Sequence, residues 1–307
     1  MDIEIQSLCA ADIPQAMDLK NALGWNQTPE DWRRFLQLSP LGSFKAMRGG
    51  QMVGTAVAHV FDRVCWIGMV IVREGCRQQG VGRLMMKRCL EFSAEQGCSL
   101  VVLNATREAV GLYGSLGFRP EFLIGTARGT IANGGQFAPG QPTRGEFTPG
   151  ADSPATKTYQ IRRIEGGDLD AIVSLDAEAQ GAEREALLMR LVEQYPGSGF
   201  VCLGPDCRLE GFALHRPGVH SIQIGPLIAR GHIQAESLLR AVCSDLLASG
   251  GATGITLTVS LNNTGMRHML NRWGLSAEPR LTRMSRGWKR LQAREEMIYA
   301  FSGPEKG

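Results

Sequence analysis

Several features that mark other protein classes are missing from this 307-residue chain. No apolar run approaches the roughly 18–20 residues that a membrane-spanning helix needs, and the acidic start Met1–Glu4 lacks the basic segment of a signal peptide. The net charge is only +3, which argues against a basic nucleic-acid-binding surface. The eight cysteines form neither a C-x-x-C pair nor a Cys/His cluster with zinc spacing. These absences favour a cytoplasmic protein without a metal and without membrane or nucleic-acid partners.

The length suggests about two domains of roughly 150 residues each. A stretch rich in Gly, Pro, Thr and Ala, with no sustained apolar period, separates two similar halves. We therefore predict a first domain over residues 1–128, a linker over 129–157 and a second domain over 158–307. The sequence leaves the oligomeric state open.

Strand and helix signals alternate in the first half and predict an α/β order around a mixed sheet. Thr28 followed by Pro29 is typical of a helix N-terminus. An apolar run over 64–72 predicts a strand, and a helix is predicted over 82–96. Its predicted buried stripe consists of Val81, Leu84, Met85, Cys89 and Phe92.

A glycine-containing loop joins that strand to that helix and reads Arg77-Gln78-Gln79-Gly80-Val81-Gly82. The N-terminus of a helix carries unpaired N–H groups and a partial positive charge, so such a loop is suited to bind phosphate. It matches neither the dinucleotide pattern GxGxxG nor the nucleotide pattern GxxxxGK[ST].

The loop resembles the R/Q-x-x-G-x-G/A loop of GNAT-family N-acyltransferases. A second motif supports the resemblance, because residues 112–118 read L-Y-G-S-L-G-F and match the L-Y-x-x-x-G-F signature of that family. The resemblance implies two tandem acyl-CoA N-acyltransferase folds and transfer of an acetyl group from acetyl-CoA to an amine. The residues that it implies for binding acetyl-CoA are Val70, Ile71, Val72, Arg77, Gln78, Gln79, Gly80, Val81, Gly82, Arg83 and Thr106.

Tyr113 stands at the position of the family's general acid. A phenol with a pKa of about 10 is suited to protonate a thiolate whose thiol has a pKa near 8.5. The family often has Asn where this chain has Thr106, and some members have a glutamate base where this chain has Val101. The identity of the base stays open between a water chain, Asp31, His59 and the loop carboxylates Asp62 and Glu74.

The acceptor site in this fold lies beside the first two helices, so Trp25, Asn26 and Gln27 are candidate substrate-binding residues. An aromatic side chain and two amides on a loop suit a small polar substrate. The alternative for Trp25 is packing against the second helix, with Trp32 alongside.

The second half repeats the first at one fixed offset, with Ile224-Gly225 matching Ile67-Gly68 and Gly274 matching Gly117. In that ungapped register Ser237 stands at Gly80 and Leu239 at Gly82. Side chains at both glycine positions would crowd a pyrophosphate, so the second domain is expected to keep the fold without the acetyl-CoA site.

The sequence thus predicts an acetyl-CoA-dependent N-acetyltransferase that acts on a primary amine of a small metabolite. A protein lysine or N-terminal acetyltransferase is the first alternative. A non-catalytic acyl-CoA-binding sensor or scaffold is the second.

Overall fold

The computed structural model describes residues 2–131, 137–138, 159–250, 253–288 and 291–305. Its helices are α1 (Ile13–Asn21), α2 (Pro29–Leu38), α3 (Val81–Glu95), α4 (Val110–Ser115), α5 (Leu169–Gln180), α6 (Glu185–Gln194), α7 (His232–Ala248) and α8 (Thr264–Arg272). Its strands are β1 (Glu4–Ser7), β2 (Ser43–Arg48), β3 (Gln51–Phe61), β4 (Val64–Val72), β5 (Leu100–Thr106), β6 (Arg119–Ile131), β7 (Phe137–Ala138), β8 (Gln160–Arg163), β9 (Gly199–Leu203), β10 (Leu209–Arg216), β11 (Ile222–Ala229), β12 (Thr253–Ser260), β13 (Ala277–Gly287) and β14 (Ile298–Ala300).

The chain folds into two compact units, and neither is one contiguous stretch. The first unit comprises Met1–Glu121, Thr282–Leu291 and Pro304–Gly307. The second comprises Phe122–Leu281 and Gln292–Gly303. The unit boundary falls inside β6 and again inside β13, so each of these strands contributes residues to both units.

The predicted linker 129–157 lies mostly outside the described residues. Within it, residues 129–131 end β6 and residues 137–138 form β7. The three-segment division of the chain stays a prediction.

The first unit is built on a mixed sheet with the strand order β1-β2-β3-β4-β5, followed by β13. The pairs from β1 to β4 are antiparallel, and β5 runs parallel to β4. The predicted α/β order around a mixed sheet is therefore confirmed. The last residue of β13 lies close to the start of β5, since a Cβ on Gly287 would stand 2.4 Å from the carbonyl oxygen of Ser99.

Helix α2 begins at the predicted cap. The Oγ1 atom of Thr28 accepts from the N–H of Asp31 over 3.3 Å, and Oδ2 of Asp31 accepts from the N–H of Thr28 over 2.9 Å. This reciprocal capping box satisfies two backbone donors and fixes where the helix starts. Helices α1 and α2 pack on one core, with Leu19, Trp32 and Phe35 buried.

Helix α3 packs on the other core of the first unit, with Val81, Met85, Cys89 and Phe92 buried as predicted. Leu84 was also predicted to be buried, and that prediction is wrong: its side chain is 40% exposed. Met86 is buried instead. Because successive residues are about 100° apart around a helix, the stripe extends to the side of Met86 and away from Leu84.

The second unit has the strand order β6-β12-β11-β10-β9-β8, and β14 pairs with β11. β12 runs parallel to β11, and its other partner β6 is antiparallel to it. Side chains of α7 and α8 are buried in one core and those of α5 and α6 in another.

The two units share local geometry at the offset predicted from the sequence. Gly117 and Gly274 end α4 and α8 with φ of 87° and 67°, a backbone conformation that favours glycine. The N–H of the next residue, Phe118 or Leu275, donates to the carbonyl of the fifth residue before it, over 3.1 and 2.8 Å respectively. Matching turns at matching positions support the internal duplication.

The ungapped register is wrong for the loop before the long helix. β11 ends at Ala229 and α7 begins at His232, so Ser237 and Leu239 lie inside a helix. Their predicted counterparts lie at the start of α3, where Gly80 is the N-cap and Gly82 the second residue of the helix. In the described residues of the second unit, the connection from β11 to α7 is therefore shorter than the connection from β4 to α3. The positions that the register aligned with the glycine loop lie in the first turns of α7.

Candidate active site

Strands β4 and β5 separate in the middle of β4. Their parallel pairing extends to Ile67 opposite Leu103 in the described part of the chain. Just beyond, the register of β4 against β3 shifts, and Met69 has a φ of 51°. Such a bulge redirects the strand. Val70–Val72, which the resemblance implies for binding acetyl-CoA, thus lie past the point of separation, where Val70 and Val72 are partly exposed.

The loop after β4 has the backbone that a phosphate cradle needs. Gln78 and Gly80 have φ of 59° and 82°, and Gly80 directly precedes α3. A Cβ built on Gly80 meets nothing within 4 Å, so the space beside the loop is open. The exposed N-terminus of a 15-residue helix next to that space suits an anion. The loop is therefore suited to bind a phosphate or pyrophosphate group.

Side chains of this loop hold it in place. Nε of Arg77 donates to the carbonyl of Val72 over 3.2 Å. Gln79 accepts from Arg48 over 2.7 Å and donates to the carbonyl of Gly75 over 2.9 Å. Arg83, in the first turn of α3, donates to Oγ of Ser115 over 2.7 Å. Three of the predicted acetyl-CoA residues thus have intramolecular partners that fix the loop.

Tyr113 lies on α4 and is buried, with its ring 6.0 Å from that of Phe118. Burial, and to a lesser extent the neighbouring Cys89, raises the pKa of Tyr113 well above its ordinary value. The phenol therefore keeps its proton throughout the physiological range, and the same shift makes it a weaker acid than a solvated tyrosine. Thr106 ends β5, and its carbonyl accepts from the N–H of Ala109 over 2.9 Å.

The predicted substrate residues lie on the loop between α1 and α2. Trp25 packs at the edge of the core that contains Trp32, and its carbonyl accepts from Nζ of the buried Lys20 over 2.8 Å. Asn26 is partly buried, and Gln27 is buried at 5% exposure. The packing that was the alternative for Trp25 is present, whereas Gln27 directs its amide to another polar side chain.

That side chain is Glu305, which the sequence did not point to. Nε2 of Gln27 donates to Oε2 of Glu305 over 2.8 Å. The segment Pro304–Glu305 belongs to the first unit and lies where β4 and β5 separate. On the β5 side, Nδ2 of Asn104 donates to the carbonyl of Pro304 over 2.6 Å. On the β4 side, a Cβ on Gly68 would stand 2.6 Å from the carbonyl oxygen of Glu305.

Asn104 is itself held by a buried arginine. Nε of Arg283 donates to Oδ1 of Asn104 over 2.7 Å, and its guanidinium lies 4.5 Å from the ring centroid of Trp66. The amide of Asn104 is therefore oriented with its nitrogen toward Pro304. No sequence signal marks Asn104, Arg283 and Glu305 as neighbours, since they come from distant parts of the chain.

Two groups that were open candidates for the base have other surroundings. Asp31 accepts hydrogen bonds from Thr28 and forms a buried ion pair with Arg34. The ring of His59 is buried between those of Phe35 and Phe61, at centroid distances of 5.6 and 6.1 Å. Asp31 therefore acts in capping α2 and neutralising Arg34.

The residues that the structure describes contain no group of three or more His, Cys, Asp or Glu side chains placed to hold a metal ion. None of the helices among them has both the length and the apolar character needed to cross a membrane.

Comparison with known proteins identifies the fold twice in the chain. A family model described as "Acetyltransferase (GNAT) family" matches residues 14–118, and one described as "Acetyltransferase (GNAT) domain" matches residues 172–300. This chain is a tandem GNAT protein. The two matches fall on the two halves that the motifs and the internal duplication had distinguished.

Solved structures of similar length share the tandem GNAT fold. An acetyltransferase candidate from Pyrococcus horikoshii has a TM-score of 0.76 at 18% identity, covering 99% of this chain and 96% of its own. A tandem GNAT protein from the clavulanic acid biosynthesis pathway has a TM-score of 0.64 at 13% identity, covering 93% and 98%. At these identities the likeness concerns the fold alone.

Among curated proteins, the N-alpha-acetyltransferase MAK3 of Arabidopsis thaliana is 33% identical over 94 residues, which are 28% of this chain and 50% of that protein. The uncharacterized N-acetyltransferase YitH of Bacillus subtilis is 23% identical over 225 residues, covering 73% of this chain and 71% of its own. The chain spans about half the length of the N-alpha-acetyltransferases it matches.

Proposed function

We propose that the first unit transfers an acetyl group from acetyl-CoA to a primary amine of a small metabolite. The observation that supports this most is the combination of the open Gly80 loop at the N-terminus of α3 with the separation of β4 from β5 after Ile67. The loop offers an anion site, and the separated strand offers backbone groups along Val70–Val72. Together they suit a phosphorylated ligand with an extended arm.

In this proposal the protein contributes positioning and proton transfer. Bound acetyl-CoA supplies the acetyl group as a thioester. Holding the amine against that thioester can be worth roughly 7–11 kcal/mol of the barrier. An amine with a pKa of about 10.4 must also lose a proton, which costs roughly 4–5 kcal/mol at pH 7. Tyr113, which burial keeps protonated, would return a proton to the departing thiolate.

Acetylation of a protein N-terminus is a second candidate. It is supported by the relatives in Arabidopsis thaliana and Dictyostelium discoideum that are named N-alpha-acetyltransferases. A small metabolite amine is favoured because the Gln27 amide and the Glu305 carboxylate, close to the end of the β4–β5 pairing, are buried rather than displayed on an open face. A non-catalytic acyl-CoA sensor would bind acetyl-CoA without turnover.

The first experiment is a calorimetric titration of the full chain with acetyl-CoA, read for stoichiometry. One site per chain would support an acetyl-CoA site in the first unit and none in the second. Two sites would contradict the proposal that the second unit has lost its acetyl-CoA site. An absence of binding would contradict acetyl-CoA as the donor. Release of CoA thiol in the presence of an amine would then separate an acetyltransferase from a sensor.

A further inference from the structure

The backbone and Cβ of Glu305 lie beside Gly68 on β4, and its carboxylate accepts from Gln27. Val70–Val72 are the predicted site of the pantetheine arm, and Gly68 precedes them on β4 across the bulge at Met69. The backbone and Cβ of Glu305 contact Gly68 so closely that any side chain there would collide with them. In the proposed function, an arm of acetyl-CoA that enters from Gly80 would run along β4 from Val72 to Val70, toward Gly68 and the segment that carries Glu305.

The surroundings of Glu305 are those of a built site. Glu305 is 7% exposed, and Gln27, whose amide donates to Oε2 of Glu305, is 5% exposed. Its backbone packs closely on Gly68 of β4, and Asn104 of β5 donates to the carbonyl of the preceding residue, Pro304. Gln27 also lies on the loop predicted to meet the acceptor. A carboxylate that is buried and anchored at this place suits a cationic group.

We infer that Glu305 binds the ammonium group of the acceptor and takes its proton, and therefore that the acceptor is a cationic primary amine. This inference rests on the proposed function and names its missing base. With Glu305 as the base, the chain needs neither a glutamate at the position of Val101 nor the loop carboxylates Asp62 and Glu74.

The proton and electron changes balance as follows. The ammonium group loses one proton to the carboxylate of Glu305, which passes it to water. The lone pair of the neutral amine forms the new C–N bond at the thioester carbon, and the C–S bond breaks with its electron pair on sulfur. Tyr113 protonates the thiolate, and the second proton lost by the nitrogen restores Tyr113 through solvent. The products are the amide, CoA thiol and one proton in solution.

The test compares the wild-type chain with Glu305→Gln, Glu305→Asp and the control Glu91→Gln, whose carboxylate is exposed on α3. The probes are acetyl-CoA with glucosamine, with spermidine and with a tripeptide that has a free N-terminus. Thiol release gives kcat and KM from pH 5 to 10. Calorimetry gives the affinity for acetyl-CoA and, without acetyl-CoA, for each amine.

We expect Glu305→Gln to lower kcat/KM about 100-fold, to weaken amine binding and to leave the affinity for acetyl-CoA unchanged. The acidic limb of the wild-type pH profile, caused by protonation of a carboxylate, should disappear in Glu305→Gln and be kept in Glu305→Asp. Glu91→Gln should match the wild type. Unaltered amine binding, rate and pH profile in Glu305→Gln would overturn the inference and leave the proposed function intact. A wild-type chain that binds acetyl-CoA and neither binds nor acetylates any probe would overturn both.

Discussion

The amide nitrogen of Gln27 donates a hydrogen bond of 2.8 Å to the carboxylate of Glu305, although 278 positions separate the two residues. Both side chains are buried, so this contact takes place away from bulk water. It joins the loop between α1 and α2 to the segment that lies where β4 and β5 separate.

Replacing Gln27 by Ala should destabilise the first unit by about 2 kcal/mol, because a buried hydrogen bond to a charged group is lost. Urea unfolding measures this change. Gln15→Ala is the matched control, since Gln15 is exposed on α1 and Ala is favourable in a helix. Equal unfolding midpoints for the two variants would show that the contact contributes nothing to stability.

Replacing Gly68 by Ala should displace Pro304–Glu305 or destabilise the unit by about 1–3 kcal/mol, because the new Cβ would stand 2.6 Å from a backbone oxygen. Gly111→Ala is the control, since a Cβ there meets nothing within 4 Å. Unfolding and acetyl transfer should both worsen in the first variant and stay near wild type in the second. Wild-type values for Gly68→Ala would contradict the close packing of this segment.

Replacing Gly80 by Ala should weaken acetyl-CoA binding at least tenfold, which is about 1.4 kcal/mol. A side chain in the left-handed conformation costs roughly 1–2 kcal/mol, and the loop relaxes away from its anion-binding geometry. Gly50→Ala is the matched control, because Gly50 has a φ of 78° and equally open surroundings in a hairpin turn. Both variants should lose similar stability, and only the first should lose affinity in calorimetry.

Replacing Tyr113 by Phe should lower turnover at least roughly tenfold and leave the affinity for acetyl-CoA nearly unchanged. The hydroxyl is lost, while the packing of the ring on Phe118 is kept. Because burial raises the pKa of Tyr113, its deprotonation should cause no loss of activity up to pH 9 in the wild type. Steady-state kinetics over pH 6–9 measures both effects, and an equally active variant would exclude Tyr113 as the acid.

Replacing Asp168 by Asn should lower stability at pH 7 by about 1 kcal/mol and lower it by less at pH 3. Arg162 donates to both carboxylate oxygens, over 2.7 and 2.8 Å, and lowers the pKa of Asp168 despite partial burial. A lowered pKa stabilises the fold above the unfolded pKa of about 3.9, and this contribution is lost as pH falls through the folded value.

Urea unfolding of Asp168→Asn at pH 7 and pH 3 tests this, with the exposed Asp18→Asn on α1 as the control. A loss of stability that is the same at both pH values would show that the ion pair is not its source.

The sequence by itself determined the local features of this protein. The pair Thr28-Pro29 marked the start of α2, because a helix cap depends on neighbours along the chain. The two motifs around Gly80 and Tyr113 identified the family and the mixed fold. The periodicity of α3 gave its core stripe apart from Leu84 and Met86.

Only the tertiary structure decided which distant residues meet. The position of Glu305 between Gly68 and Asn104, and the orientation of Asn104 by Arg283, depend on packing among strands that are far apart in sequence. The start of α7 at His232 also could not be predicted from the fixed offset between the two halves. The loop before a helix can differ in length between two repeats while the strand and helix patterns on either side stay the same. Local propensity and spacing act over a few residues, whereas hydrogen bonds and close packing join residues wherever the fold brings them together.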